Sequence, residues 1–326
     1  MTTVPSGPST SPPLAQQLPI HLVIFGAWMV AFGAAALLEY APNASLWFPP
    51  AAITFASVFL LGPRAFPVLW LGCLLVTILA DQVFERGLDL AELLAAGLAF
   101  AATHTLVYGA AALMLRSVLD SRLLRWTPGQ TGALLVSLAL AAGLSSALGG
   151  LSLAASGMAE PAALPALIRA WWIGDYAGLI TVGPLFLLVL IRLSEALDLP
   201  VARPFDAKSS ADGWKALWPG PVARLASLAL LDIVLIAIIL LLPGQAALAP
   251  ILLVCLPVQL WIARSDPPLA TVLGVFGLTL LLAIAVANSA LKEQAMTVQF
   301  VVIVLAAASY LGLAASHSVR GKPATT

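Results

Sequence analysis

The amino-acid sequence predicts an all-α polytopic transmembrane helix bundle of about ten membrane segments, 8 to 10, and three observations predict it. The 326-residue chain has 15 Lys+Arg and 15 Asp+Glu, so 9% of it is charged, where a soluble domain carries about 25%. The hydrophobic fraction is 61% and the mean hydropathy is +1.02. Apolar runs of membrane-spanning length recur along the chain. A soluble fold of this size could not cover its surface with so few polar groups. Soluble enzymes, disulfide scaffolds and nucleic-acid binders are therefore excluded, and no nucleic-acid partner is expected. Lipid offers backbone amides no partner, which leaves helices as the spanning elements.

A span needs roughly 20 apolar residues. Ten candidates follow in order: 20–38, 47–61, 65–80, 91–115, 131–156, 166–191, 224–242, 246–263, 268–287 and 296–315. The second is short, rising only about 22 Å as a helix, so with the third it reads as a hairpin that does not fully cross. Residues 1–19 are rich in Pro, Ser and Thr and read as a disordered tail without a basic signal flank. Residues 316–326 read as a short polar tail. Cys73 and Cys255 lie inside apolar runs and read as packing residues.

Basic residues set the orientation. With both termini cytoplasmic, the inner loops hold Arg64, Arg116, Arg122, Arg125, Arg192, Arg203, Lys208, Lys215, Arg224, Arg264, Arg320 and Lys322. The outer loops hold only Arg86, Arg169 and Lys292. The split is 12 to 3, or 11 to 4 if Arg64 changes side. The outer loops are acidic, with Glu39, Asp81, Glu85, Asp89, Glu92, Glu160 and Glu293. The expected location is a plasma membrane, with the 192–223 loop inside.

No soluble-enzyme motif is present, and no Cys/His cluster has metal-ligand spacing, so no catalytic residue, metal or cofactor is assigned. The informative residues are polar groups within spans, because ionisable groups in hydrocarbon are costly and face the bundle interior. His104 falls midway between Glu92 and Arg116. It reads either as a ligand-contacting group or as a neutral histidine bonded between helices. Asp175 lies about 9 Å below the outer surface, following Trp171 and Trp172. The two tryptophans read as belt anchors, while Asp175 either pairs with a neighbouring helix or faces a cavity. Asp232 reads as a structural partner of Gln259. Ser146 and Gly150 fit the small-xxx-small packing pattern. Pro49 and Pro50 set the start of the second span, since unpaired first-turn amides tolerate proline, and Trp47 then falls at the outer rim.

Two segments carry a family resemblance. WFPPAAITFASVFLLGPRAFPVLWLG, residues 47–72, is similar to the Trp-Pro-Pro entry, apolar helix, Gly-x-Arg turn and Pro-containing next helix of the first class of MASE-type membrane-associated sensor domains. WWIGDYAGLITVGPLFL, residues 171–187, resembles that family's Trp-Trp-x-Gly-Asp signature, and 257–315 follows its later spans. The resemblance covers roughly 20–315. It departs mildly at Gly62-Pro-Arg64-Ala-Phe-Pro67, where the Arg and the Pro remain in place.

The resemblance implies a bacterial inner-membrane sensory module, similar to the membrane part of hexose-phosphate-responsive sensor kinases. Such a module would have no enzyme activity of its own. Modules of this kind normally precede a histidine-kinase, cyclic-di-GMP synthase or similar output domain. The chain therefore reads either as a stand-alone sensor that signals through a separate cytoplasmic kinase or cyclase or as a receptor module cut from a longer protein. Its partners would then be the lipid bilayer, an unknown small ligand, that kinase or cyclase and, in one arrangement, a second copy as a homodimer. A small-molecule transporter is the alternative, favoured by interrupted helices and a midplane histidine. The expected ligand site is a cavity open to the periplasm. Trp47, Pro50, Trp171 and Trp172 would enter it, Asp175 would orient a polar or cationic group, and His104 would close its floor.

Overall fold

The computed structural model describes residues 14–41, 44–84, 87–120, 123–155, 159–199, 220–241, 254–287 and 290–320. Helix α1 (Leu14–Leu37) leads into an antiparallel strand pair, β1 (Glu39–Ala41) and β2 (Ala44–Ser45). Then follow α2 (Pro49–Leu61), α3 (Phe66–Phe84), α4 (Leu90–Val118), α5 (Pro128–Ala155) and α6 (Leu164–Ala196). The chain continues as α7 (Gly220–Leu241), α8 (Cys255–Ser265), α9 (Pro268–Ala287) and α10 (Ala295–Arg320). Eight helical stretches among the described residues are long and apolar enough to cross a membrane, one of them Pro49–Gln82, which holds α2 and α3 together.

The tail boundaries differ from expectation. Helix α1 already begins at Leu14 and α10 continues to Arg320. The helices run on past the apolar stretches, through Gln16, Gln17 and Pro19 in α1 and through the polar SHSVR end of α10. Residues 246–253 of the expected eighth span lie outside the described residues, and the rest of that span is the 11-residue α8.

Helix α2 shows why the second span cannot cross alone. Its 13 residues rise about 20 Å, short of the roughly 30 Å hydrocarbon core. Position along α4 gives its depth. Thr54 meets His104, at the middle of α4, and Val58 meets Gly109 further along. The chain then reverses through a 3-10 turn, Gly62–Ala65, where Gly62 takes φ +69°. That left-handed conformation favours glycine. Helix α3 runs back beside α4, with Phe66 at Gly109 and with Leu74 and Thr77 at Gly97. So α2 is a half-depth helix that begins near the middle of the bundle. All 13 of its residues are buried.

The extended segment 44–48 reaches that depth because α6 makes room for it. Glycines at 174 and 178 lie one turn apart on α6. A Cβ at Gly174 would stand 2.8 Å from the Ser45 carbonyl oxygen, and one at Gly178 would stand 2.7 Å from the Phe48 carbonyl carbon. Backbone groups buried there need partners. The Phe48 N–H donates to the Gly174 carbonyl at 3.2 Å, and the Gln299 side-chain amide donates to the Leu46 carbonyl at 2.8 Å. The Trp47 indole N–H donates to Thr181 Oγ1 at 2.9 Å.

Helices α5 and α6 pack through glycine notches. Trp171 sits over Gly149, Trp172 over Gly143, and Ile168 over Gly150. One end of the bundle gathers basic residues. His21 Nε2 lies 3.1 Å from the Arg64 carbonyl oxygen there. Arg224, at the start of α7, makes a bidentate pair with Asp266 just past α8, its Nε donating to Oδ2 at 2.7 Å. Asp266 is buried and Arg224 is about one-third exposed. Removing the guanidinium partner of a buried carboxylate is costly, whereas exposed helical pairs contribute little. Arg224→Ala should therefore lower the thermal midpoint of the detergent-purified protein more than Glu195→Ala, which breaks the exposed Arg192–Glu195 pair. Differential scanning fluorimetry gives the comparison.

Asp232 does not pair with Gln259. It accepts from the Cys255 thiol at 3.0 Å, because Cys255 and Gln259 are one turn apart on α8 and the first of them reaches Asp232. Gln259 instead abuts Gly274 of α9.

Candidate functional site

At the end opposite the basic one, a cavity of about 720 Å³ opens among α1, the strand pair, α3, α4, α5 and α6. That volume lies within the range of small-molecule sites, roughly 300–1,000 Å³. Its outer part carries Glu39, Asp81 and Glu92. Helix α4 is started by a capping box, in which Asp89 accepts from the Glu92 N–H and Glu92 accepts from the Asp89 N–H. Asp81 accepts from the Leu88 N–H at 3.1 Å, which ties the end of α3 to the start of α4. From Glu92 to His104 the α4 wall descends about 18 Å.

The inner part is aromatic. Phe32 and Phe48 stand edge to face with ring centroids 6.4 Å apart, as do Phe48 and His104 at 5.8 Å, while Phe100 is tilted against His104 at 5.3 Å. Trp171 and Asp175 contribute the α6 wall, and Ala95, Ala96 and Ala99 leave space along α4. Small side chains there create the void, as larger ones would fill it.

Beneath the cavity lies a hydrogen-bonded layer. The Tyr108 hydroxyl donates to Asp175 Oδ2, and the Tyr108 and His104 rings are 4.9 Å apart. His104 Nε2 lies 3.0 Å from Thr54 Oγ1, which also accepts from the Trp28 indole N–H at 3.1 Å. Asp175 pairs with a neighbouring helix and also lines the cavity. His104 is bonded between helices, to Thr54 on α2, and lines the same cavity.

Of the six residues expected to form the site, His104, Trp171 and Asp175 line this cavity together. Trp47, Pro50 and Trp172 do not. Trp47 is buried at the depth of Thr181, against Phe276, and not at the rim. The chain carries it inward because segment 44–48 is extended and seated on Gly174 and Gly178. Pro50 is buried in the first turn of α2. Trp172 is half exposed on the far face of α6, where its indole N–H donates to the Ala139 carbonyl at 2.8 Å. Sequence reasoning missed Thr54, Tyr108 and Gln299. A buried tyrosine four residues after His104 shares its helical face, and that spacing was the available signal for Tyr108.

Searches against curated proteins and against solved structures find no match. A family model does match, over residues 16–318, which takes in the strand pair, half-depth α2, the cavity and every described helix after them. The chain belongs to the MASE1 family of membrane-associated sensor domains.

Proposed function

We propose that this sensor domain receives a small ligand in its cavity from the outer side of the membrane and reports occupancy at its basic, cytoplasmic end. One observation carries the reading. The cavity floor is built on the start of α2, and the far end of α2 is the Gly62–Ala65 turn at the basic end. A ligand touching Phe48 or His104 bears on one end of a rigid, wholly buried rod. A ligand shifts an equilibrium only through differential affinity for two arrangements, and on this reading α2, packed between α4 and α6, is the element whose position differs between them. The signal passes to a cytoplasmic histidine kinase or cyclic-di-GMP enzyme.

The packed α2 also argues against transport, because it fills the route below the cavity. The test compares cells carrying native chain and partner with cells carrying Ala99→Trp, which fills the cavity, or His104→Ala. Both variants should lose most of the downstream response, at least tenfold, at normal membrane abundance. A full response from Ala99→Trp would overturn the reading, as would gradient-driven solute uptake into proteoliposomes.

The orientation has its own check. Ala162→Cys, at the acidic end, should react with an impermeant thiol reagent in intact cells, whereas Ala196→Cys should react only after lysis. Native Cys73 and Cys255 are buried and give little background. Reaction of Ala196→Cys in intact cells would invert the model.

A further inference from the structure

We infer that the ligand taken by this cavity is an organic cation with an apolar body, a class that includes hydrophobic amines, quaternary ammonium compounds and phosphonium ions. The inference rests on the reading of the cavity as a ligand site and adds the chemistry of what enters. Among the described residues that line the cavity, the ionisable ones are Glu39, Asp81, Glu92, Asp175 and His104, with no Lys or Arg. A ligand entering therefore passes three carboxylates before it reaches a fourth.

The lining carboxylates outnumber Arg169, which acts on Tyr40 beside Glu39, and the field of such a low-dielectric cleft concentrates cations and repels anions. Asp175 is the innermost of the four and is buried. The hydrogen bond it accepts is from Tyr108. A carboxylate has about four acceptor positions, so a second positive or donating group fits there.

The aromatic lining points the same way. Phe48, Phe100 and Trp171 border the inner space, and the ring faces of such residues attract cations within about 6 Å, most strongly when water is excluded. The dipole of half-depth α2 opposes this, since its positive end reaches the floor. Its first two residues are Pro49 and Pro50, however, which have no N–H to offer an anion. The alanines along α4 and the Phe rings accommodate an apolar body. The hydrated inorganic cation of a salt would gain nothing from them.

The experiment uses the full chain in lipid nanodiscs and two ions of the same shape and opposite charge, tetraphenylphosphonium and tetraphenylborate. Binding is read as saturable quenching of tryptophan fluorescence, with empty nanodiscs as the blank for partitioning into lipid. Tetraphenylphosphonium should bind at least tenfold more tightly than tetraphenylborate. Asp175→Asn should weaken the phosphonium at least tenfold and leave the borate unchanged. Ala99→Trp should abolish the saturable signal.

Comparable binding of the two ions, or of the phosphonium to native protein and to Asp175→Asn, would overturn the cation assignment. The native protein compared with both ions needs no variant to fold. If the borate binds more tightly and Ala99→Trp removes that binding, the ligand-receiving cavity stands and only its charge preference falls. Absence of saturable binding by either ion overturns the inference, while the response of Ala99→Trp cells tests the sensor reading separately.

Discussion

Gly178→Val should unseat the segment that carries Trp47 and Phe48 and should be among the most damaging single substitutions in the chain. The first atom added at position 178 falls against the Phe48 carbonyl group. A flexible side chain could swing aside, but a backbone held by the Gly174 carbonyl and by Gln299 cannot move alone. Overpacking a tight contact costs about 1–3 kcal/mol. Displacing the segment would also break the Trp47–Thr181 bond, so a loss of about 3 kcal/mol or more is expected. Thermal unfolding of detergent-purified protein measures it. Gly183→Ala is the control on the same helix, because a Cβ there meets only the Ala52 methyl at an ordinary 3.9 Å. Equal stability of the Gly178 and Gly183 variants would show that segment 44–48 does not lie where it is described.

Thr54→Val should cost nearly as much for a different reason. The side chain keeps its volume, so no void forms, but the hydroxyl disappears. Trp28 Nε1 and His104 Nε2 both meet that hydroxyl and all three groups are buried. An unsatisfied buried polar group costs about 1–3 kcal/mol, and two are created at once, which gives a loss of about 2–4 kcal/mol. Thr54→Ser restores the hydroxyl and should recover most of it despite the missing methyl. The tryptophan emission of Thr54→Val should also shift, because the Trp28 indole loses its partner. A Val variant as stable as the Ser variant would remove Thr54 from the centre of this layer.

Much of the fold was legible because lipid simplifies the problem. With backbone partners confined to the helix, apolar run length alone locates a span, and α3, α4, α5, α6 and α9 fall close to where their runs place them. Even the anomaly at α2 was readable, since Pro49-Pro50 starts a helix and Gly62 ends it after too few residues to cross. The depth of segment 44–48 was not readable. A glycine pair one turn apart, Gly174 and Gly178, signals close approach of something, and its usual meaning is another helix. Nothing local says that an extended strand will lie there, or that Gln299, far downstream, will supply its missing donor. The same limit explains why three of the six expected residues line the cavity and three do not. His104 and Asp175 stand out because a titratable group within a span needs a reason. Trp47 and Trp172 read as rim residues because tryptophan favours the interface, and only tertiary contacts show one of them sunk to Thr181. Glu39, Asp81 and Glu92 read as ordinary loop acids, since nothing in their spacing shows that three separate segments converge on one opening.

The bond from Gln299 to the Leu46 carbonyl joins positions 253 residues apart, and that separation governs the order of biogenesis. Chain elongation at about 5–20 residues per second puts roughly 13–50 s between the emergence of Leu46 and that of Gln299. Throughout that interval segment 44–48 lacks its last donor, and Thr181 too appears only after 134 further residues. The early helices are therefore threaded into the bilayer around an unfinished centre. The segment at the cavity floor receives its last donor only when Gln299 of α10 emerges, so the cavity takes its final form after that helix and not before.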